Sequence, residues 1–413
     1  MVMTTMKLNP VAAGFDASRL QRIDEHLQTR YVDAGKIAGA EVVVARRGHI
    51  AHHASIGHMD RERSTPVGDD TIWRWYSMTK PVTGVALLSL YERGLFQLSD
   101  PIDRWIPEFG DVKVKERSAD GTRHLVDPQR RISVRDAMMH MTGIGYGPKE
   151  ARLDLNNLAS GSLASAMGKG ATLQTLMERL GGEPLLFHPG SHWLYSWSTD
   201  VCARLVEAIS GQRFDEYLQA TVFDPLKMAD TGFFVREGEG HRLAALYSRD
   251  ANKQLKLLED PATSRSLRPT TFLSGGGGLL GTTGDYLRFC QMLLNGGELD
   301  GARVLGPKTV ALMASNHLPG GGDLHGVARP GGYGEVGFEG MGFGLTVAVS
   351  NGPVATQATG SAGEYMWGGA ASTIFWIDPA EELVAIFMTQ LIPSGTFDFR
   401  AQLKSLIYSA IVE

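Results

Sequence analysis

Strand-like segments lie at both ends of this sequence, and a long stretch with helical spacing of its apolar residues separates them. Apolar runs at 40–45 and 50–56, on either side of a polar turn, predict a β-hairpin. Runs at 343–349, 372–376 and 383–389 predict strands near the other end. These patterns predict one lobe built from both ends of the chain, with a mainly helical lobe inserted between them.

A helix is predicted beside the strands at each end. Asp16 or Ser18 can cap the first helix, in which apolar residues recur three or four positions apart between residues 20 and 31. The second helix has the same spacing between residues 399 and 411. We therefore expect a lobe made of residues 1–76 and 301–413, a helical lobe at 77–300, and an active-site cleft between the two.

Composition excludes several classes of protein. The formal net charge of -5 and the pI near 6.2 provide no basic surplus for a nucleic-acid backbone. Cys202 and Cys290 lie in apolar helical segments, which predicts buried thiols rather than a disulfide. No apolar run approaches the roughly 20 residues that span a bilayer, and the first residues lack the pattern of a secretory signal. We expect a cytoplasmic protein with no membrane or nucleic-acid partner.

The sharpest local signal is Ser77, followed three residues later by Lys80, at the start of an apolar helical pattern that runs to Gly94. Residues three apart share one face of a helix, so the serine hydroxyl and the lysine ammonium can lie side by side. The free N–H groups of a first helical turn also favour developing negative charge. Because a Ser-x-x-Lys pattern is expected about once by chance in a chain of this length, the surrounding motifs must decide its meaning.

Further motifs follow the serine in order along nearly the whole chain. The first motif occupies 73–81 together with 98–101, and the second occupies 132–144. The third occupies 187–190 together with 195–197, and the last occupies 274–279 together with Thr282 and Asp285. Together they resemble the boxes of the β-lactamase-like serine hydrolases. The resemblance implies an α+β fold, in which an antiparallel sheet flanked by the terminal helices carries the inserted helical lobe.

The same resemblance implies roles for individual residues. Tyr195 would complete the site with Ser77 and Lys80 as a proton-transfer group. A phenol with its usual pKa of about 10 can serve as a base near neutral pH if an ammonium stabilises the phenolate. The choice between Lys80 and Tyr195 as the proton acceptor therefore stays open here. The backbone N–H groups of Ser77 and Ala370 would form the oxyanion hole.

Two departures from the β-lactam-cleaving members bear on the substrate. Trp197 stands where many relatives carry asparagine, and Trp367-Gly368-Gly369 stands where they carry Lys-Thr-Gly. The neutral tryptophan removes a charge-assisted contact to a substrate carboxylate. Together with Ser-Met-Thr-Lys at 77–80, this box is similar to that of the family VIII carboxylesterases, which share the fold of class C β-lactamases. The resemblance implies that Trp197, Trp367, Gly368 and Gly369 bind substrate.

The sequence thus predicts a serine esterase that hydrolyses short-chain carboxylic esters through an acyl-Ser77 intermediate. The alternatives are a cephalosporinase-type β-lactamase or D-alanyl carboxypeptidase, an acyltransferase to an alcohol other than water, and a non-catalytic binding scaffold; β-lactams are expected to be poor substrates. No metal or cofactor is expected, because His52-His53 is a short strand-like pair that does not predict a zinc site. The glycine-rich stretch 317–344 predicts a long loop near the cleft rather than a phosphate cradle.

Overall fold

An antiparallel sheet of eight strands forms the centre of the fold in the computed structural model, which describes residues 6–146 and 170–413. In chain order the strands of the described residues are β1 (Gly39–Arg46), β2 (His49–Asp60), β3 (Thr65–Pro66), β4 (Trp73–Arg74), β5 (Val114–Arg117), β6 (Arg123–Val126), β7 (Leu246–Arg249), β8 (Leu255–Glu259), β9 (Leu280–Gly281), β10 (Glu298–Leu299), β11 (Ala302–Arg303), β12 (Met341–Phe343), β13 (Ala348–Ser350), β14 (Tyr365–Gly368), β15 (Ile374–Asp378) and β16 (Leu383–Met388). The central sheet has the order β12-β13-β14-β15-β16-β1-β2-β3.

Helices supply the other layers. The α-helices of the described residues are α1 (Ala17–Leu27), α2 (Thr79–Glu92), α3 (Val134–Met138), α4 (Leu173–Gly181), α5 (Ser198–Ser210), α6 (Phe214–Leu218), α7 (Thr283–Leu294), α8 (Pro307–Met313), α9 (Leu324–Val327), α10 (Pro353–Thr356) and α11 (Phe399–Tyr408). None of the helices in these two ranges combines the length and the apolar character needed to cross a lipid bilayer. As predicted, Cys202 and Cys290 are buried free thiols.

The two ends of the chain meet in the sheet. β1 pairs with β16, with Glu41 opposite Met388. The terminal helices also contact each other, because the Tyr31 hydroxyl, just after α1, donates a hydrogen bond of 2.7 Å to Gln402 of α11. The predicted α+β fold, with an antiparallel sheet and helices at both ends of the chain, is confirmed. The division into lobes at residues 76 and 300 stays a prediction.

The structure also agrees with the helix cap and the hairpin that were predicted near the amino-terminal end. Asp16 caps α1, and its carboxylate accepts hydrogen bonds from the N–H groups of Ser18 at 2.8 Å and Arg19 at 3.3 Å. The predicted hairpin is formed by β1 and β2, joined by Arg47 at φ 51° and Gly48 at φ 74°. Two consecutive positive φ angles match the right-handed twist of the flanking strands, which is why such a short turn fits here.

Helices cover both faces of the sheet. On one face, Phe375 of β15 packs against Tyr286 of α7, with 5.1 Å between ring centroids. On the other face, Phe387 of β16 packs against Phe399 of α11 at 5.3 Å. Phe375 stands opposite Ile386, so Phe387 must point to the other side of the sheet. This double coverage explains why every residue of β1 is buried.

One predicted strand is wrong. The apolar run at 343–349 forms two short antiparallel strands, β12 and β13, with a turn between them that contains Thr346 at φ 71°. The Gly344 N–H donates a hydrogen bond of 2.8 Å to the Val347 carbonyl across this turn. An apolar run cannot report such a reversal when its turn residues are themselves buried. The adjacent stretch 317–344, predicted as a loop, also contains the short helix α9.

The turn between β12 and β13 contacts α2, the helix that follows Ser77. A Cβ on Gly84 of α2 would overlap the Thr346 hydroxyl oxygen, and it would lie 3.2 Å from both Cβ and Cγ2 of Thr346. Rotating the threonine side chain would relieve this overlap only in part, because the Thr346 Cβ would stay 3.2 Å from the added atom. Gly84 lets the helix approach the sheet closely.

We expect Gly84→Ala to destabilise the protein. Overpacking costs about 1 to 3 kcal/mol, which exceeds the gain in helix propensity of about 1 kcal/mol for alanine over glycine. Urea unfolding should show a net loss of about 1 kcal/mol in the free energy of unfolding. Gly182→Ala is the control, because its φ is -78° and an added Cβ would have its nearest neighbour at 3.6 Å. A more stable Gly84→Ala protein would contradict the close approach.

Candidate active site

Ser77 lies in a tight turn that leads directly into α2. The turn is a 3-10 helix, Tyr76–Met78, and Ser77 is partly exposed while Met78 is buried. Tyr76 has φ 48°, in the left-handed region that a bulky residue rarely adopts. Because the first N–H groups of a helix have no intrahelical partner, the Ser77 N–H is free to face an anion. The strained turn presents both the hydroxyl and the N–H of Ser77.

Lys80 contacts the serine from the first turn of α2. Its Nζ lies 3.1 Å from Ser77 Oγ and donates a second hydrogen bond of 2.6 Å to the Gly276 carbonyl. Burial lowers the pKa of Lys80 to about 8, although the Asp200 and Glu335 carboxylates act in the opposite direction. At pH 7 about a tenth of the lysine is then neutral. A neutral amine at this distance can accept the serine proton.

Tyr195 contacts the same serine from the segment that precedes α5. Its hydroxyl is hydrogen-bonded with Ser77, and Lys80 Nζ lies 4.5 Å from the centroid of its ring. Burial raises the pKa of Tyr195 well above its ordinary value, and the neighbouring Tyr146 and Glu335 raise it further. The phenol is therefore protonated at neutral pH. This arrangement favours Lys80 over Tyr195 as the proton acceptor, a choice that the sequence left open.

Two aromatic residues hold the Tyr195 hydroxyl in place. The Trp367 indole Nε1 donates to it at 3.4 Å, and the Tyr146 hydroxyl is also hydrogen-bonded with Tyr195. Trp367 itself is 0% exposed. The indole that was expected to bind substrate thus lies behind Tyr195, without accessible surface in this structure.

The end of β14 brings the glycine box against the serine turn. A Cβ on Gly369 would overlap the carbonyl oxygen of Trp75, so only glycine permits this approach. The Gly369 N–H donates to the Thr373 carbonyl at 2.9 Å, and the Ala370 carbonyl accepts a bond of 2.8 Å from the Ser394 N–H. No acceptor for the Ala370 N–H is found among residues 6–146 and 170–413. The geometry leaves this N–H available beside the serine turn.

Gly368 borders an ion pair between the partly exposed Arg400 and the buried Glu335. Arg400, at the start of α11, lies so close that a Cβ on Gly368 would overlap its guanidinium. Arg400 Nη2 contacts Glu335 Oε2 at 2.9 Å, and Nη1 donates to the Glu335 carbonyl. The Tyr333 hydroxyl donates to Glu335 at 2.8 Å, and its ring lies 6.1 Å from Tyr195. The cation next to the glycine box is thus neutralised.

Trp197 forms part of an aromatic wall near Tyr195. It is 6% exposed, and its ring lies 5.4 Å from Tyr146 and 6.3 Å from Phe272. Because so little of Trp197 is accessible, its ring contributes to the shape of the site and offers little surface for contact with a substrate. His140 packs behind this wall, 4.9 Å from Tyr195, and burial holds the pKa of its imidazole well below the usual value.

The structure thus brings Ser77, Lys80 and Tyr195 together and places residues 367–370 against them. Sequence reasoning missed Tyr146, Asp200 and Glu335. Asp200 is in the first turn of α5, where an acidic residue usually interacts favourably with the helix dipole. Its position in the sequence therefore did not indicate a role in the active site. Tyr146 and Glu335 come from segments without regular structure, and only packing places them beside Tyr195.

A β-lactamase-like sheet and a buried lysine between a helix-start serine and a phenol define the class of the β-lactamase-like serine hydrolases. The family model described as Beta-lactamase matches residues 23–407 of the chain. The chain belongs to the Beta-lactamase family. The predicted membership of this superfamily is therefore confirmed.

Several relatives match over nearly their whole length. Esterase EstB of Burkholderia gladioli is 31% identical over 415 residues, covering 95% of this chain and 96% of that protein. Protein Rv1367c of Mycobacterium tuberculosis is 32% identical over 375 residues, covering 89% of this chain and 90% of that protein. Among solved structures, EstCE1, a hydrolase with promiscuous acyltransferase activity, aligns with a TM-score of 0.74 at 24% identity, covering 98% and 99% of the two chains.

The lowered pKa of Lys80 predicts how the reactivity of Ser77 changes with pH. A phosphonate probe should label Ser77, and because the neutral amine is the base, the labelling rate should rise with pH, with its midpoint near pH 8. In Asp200→Asn the carboxylate that raises the Lys80 pKa is lost, so the midpoint should move to lower pH. Mass spectrometry locates the adduct and gives the rates.

The control is Asp285→Asn, a buried carboxylate that accepts hydrogen bonds from Thr231 and the Asp230 N–H. Its midpoint should match that of the wild type. A pH-independent labelling rate, or equal shifts in the two variants, would show that Lys80 is not the base.

Proposed function

We propose that this protein is a serine esterase that hydrolyses short, uncharged carboxylic esters through an acyl-Ser77 intermediate. The observation that carries the proposal is the contact of 3.1 Å between Ser77 Oγ and a buried Lys80 whose pKa is lowered to about 8. Its relative EstB is named an esterase. Acyl transfer through a serine needs a nucleophile, a base and an anion site, and the cleft holds residues suited to each task.

Acylation begins when neutral Lys80 accepts the Ser77 proton and Ser77 Oγ attacks the ester carbonyl. The oxygen of the tetrahedral intermediate would accept hydrogen bonds from the N–H groups of Ser77 and Ala370. Preorganised donors of this kind typically contribute about 10²- to 10³-fold in rate each. Gly369 supports this role because it allows the backbone to approach the serine turn.

Tyr195 is the proton donor to the leaving alcohol. Its raised pKa keeps the phenol protonated until negative charge develops on the departing oxygen. The Lys80 ammonium formed in the first step then returns the proton to Tyr195. Water attacks the acyl-Ser77 by the reverse sequence and releases the acid. We assign Trp367 and Tyr146 to positioning the Tyr195 hydroxyl, since both hold hydrogen bonds with it.

The charges around the cleft favour substrates without a carboxylate. The lysine of the usual third box is replaced by Trp367, and Arg400, beside Gly368, is paired with Glu335 at 2.9 Å. A substrate carboxylate would have to compete with a buried carboxylate for the guanidinium. A neutral ester requires no such cation. This argument separates an esterase from a β-lactamase, because penicillins and cephalosporins carry a carboxylate.

Acyl transfer to an alcohol other than water is the second candidate. Monacolin J acid methylbutanoyltransferase of Aspergillus terreus is 27% identical over 350 residues, covering 79% of both chains. The same acyl-Ser77 would serve either reaction, since only the acceptor differs. The ratio of acid to transferred ester, measured with an added simple alcohol, distinguishes the two.

Ser77→Ala should abolish hydrolysis of p-nitrophenyl butyrate, with a loss of several orders of magnitude in kcat, because the nucleophile is gone. Release of p-nitrophenol measures the rate, and circular dichroism checks the fold. Ser405→Ala is the control, because the hydroxyl of this exposed serine bonds to the Ala401 carbonyl of its own helix, α11. A folded Ser77→Ala protein that keeps more than a tenth of the wild-type kcat would refute the assignment.

Wild-type protein should prefer p-nitrophenyl butyrate to a chromogenic cephalosporin by kcat/KM. A charge-assisted hydrogen bond to a carboxylate is worth about 1.5 to 3 kcal/mol, or about 10- to 150-fold in rate. Glu335→Gln frees Arg400 and should raise the ratio of cephalosporin to ester kcat/KM by up to this factor. A wild type that prefers the cephalosporin would identify a β-lactamase instead.

A further inference from the structure

Glu41, His53 and Asp69 come together at a second place in the molecule, outside the cleft. Glu41 is on β1, His53 on β2, and Asp69 in the turn before β4. His53 Nε2 lies 3.1 Å from Glu41 Oε1 and 3.8 Å from Asp69 Oδ1. All three ligand atoms lie within 4.8 Å of one another. Three separate chain segments thus bring one nitrogen and two oxygen ligand atoms close together.

Glu41 is the most constrained member of this cluster. It is 0% exposed, and its Oε2 accepts hydrogen bonds from Trp73 Nε1 at 2.9 Å and from the Thr283 hydroxyl. These two donors fix the carboxylate and leave Oε1 turned toward His53. Outer hydrogen bonds that orient a ligand in this way are typical of metal sites. A buried carboxylate also needs a positive partner to offset the cost of its desolvation.

The distances are close to those of a bound ion. Ligands about 2.0 to 2.1 Å from a tetrahedral ion lie about 3.3 to 3.4 Å apart, and the contacts of His53 differ from this by a few tenths of an ångström. Asp69 has a side chain that is 63% exposed, so its carboxylate can move toward the other two ligands at little cost. Because the ligand atoms of Glu41 and Asp69 are up to 4.8 Å apart, this movement of Asp69 is needed to close the ligand set around an ion.

We propose that Glu41, His53 and Asp69 form a binding site for one divalent transition-metal ion of the zinc type. One imidazole nitrogen and two carboxylate oxygens suit zinc and its neighbours, whereas calcium and magnesium prefer oxygen ligands alone. Water completes the coordination. The sequence did not predict this site, because its ligands are separated by 12 and 16 residues and follow no metal-binding spacing.

The exposure of two ligands gives an ion access to the cluster. The carboxylate of Asp69 lies at the surface. His53 keeps part of its side chain exposed, at 20%. An ion can therefore reach the buried Glu41 past these two partly exposed side chains.

The bound ion would link β1 and β2 of the sheet to the segment that precedes Ser77. Trp73, which holds Glu41, is on β4 and precedes Ser77 by four residues. Because the ion binds the folded ligand set and not the separated segments, it raises the stability of the fold. The role is structural and independent of the esterase proposal, since the ligands are not the groups that contact Ser77.

The test uses the full chain without a polyhistidine tag, freed of metal with EDTA. Calorimetric titration with ZnCl₂ should show one ion per chain, and the melting temperature should rise by about 2 to 5 °C at saturating zinc. His53→Asn and Asp69→Asn should each weaken binding at least tenfold. Circular dichroism in EDTA confirms that both variants are folded.

His52→Asn is the matched control. Its imidazole is adjacent in sequence but pairs with Asp24 at 2.8 Å, so this variant should keep the wild-type affinity and stoichiometry. The proposal is overturned if wild-type protein takes up no zinc at 100-fold molar excess. It is also overturned if His53→Asn or Asp69→Asn binds as tightly as the wild type, or if His52→Asn loses binding to the same extent.

Discussion

The site depends on one interaction, the contact between Lys80 Nζ and Ser77 Oγ inside a region that excludes water from the lysine. In water a lysine at pH 7 is almost entirely an ammonium ion and cannot accept a proton. Burial in α2 lowers its pKa to about 8, while the Gly276 carbonyl fixes the amine at 2.6 Å. The Asp200 and Glu335 carboxylates limit this lowering. The lysine is therefore both oriented and poised to exchange protons near neutral pH.

The rest of the fold serves to hold that contact. α2 is buried on nearly all sides, and it approaches the sheet through Gly84 against the β12–β13 turn. The strained turn at Tyr76 is tied to the carboxyl-terminal part of the chain, because Gln390 donates a hydrogen bond of 3.1 Å to the Arg74 carbonyl. Such strain persists only where the surrounding packing imposes it. The sheet that provides this packing exists only when both ends of the chain pair.

Sequence patterns predicted the elements more reliably than their contacts. The amino-terminal hairpin and the terminal helices follow from the spacing of apolar residues, because that spacing is a local property. The break at Thr346 was missed, because its turn is buried and the single threonine stands inside a mainly apolar run. For the site, the motifs named Ser77, Lys80 and Tyr195, but Tyr146, Asp200 and Glu335 depend on packing between distant segments.

By itself the sequence determined the family and the α+β class, and it predicted the serine, lysine and tyrosine of the site, because short motifs in a fixed order carry that information. Only the tertiary structure decided their protonation, because a pKa depends on burial and on charges brought close by folding. It also decided that Trp367 lies behind Tyr195 and that Arg400 is neutralised by Glu335. The tertiary structure also decided that Glu41, His53 and Asp69 lie close together, because their proximity depends on the pairing of β1 with β2 and on the turn before β4.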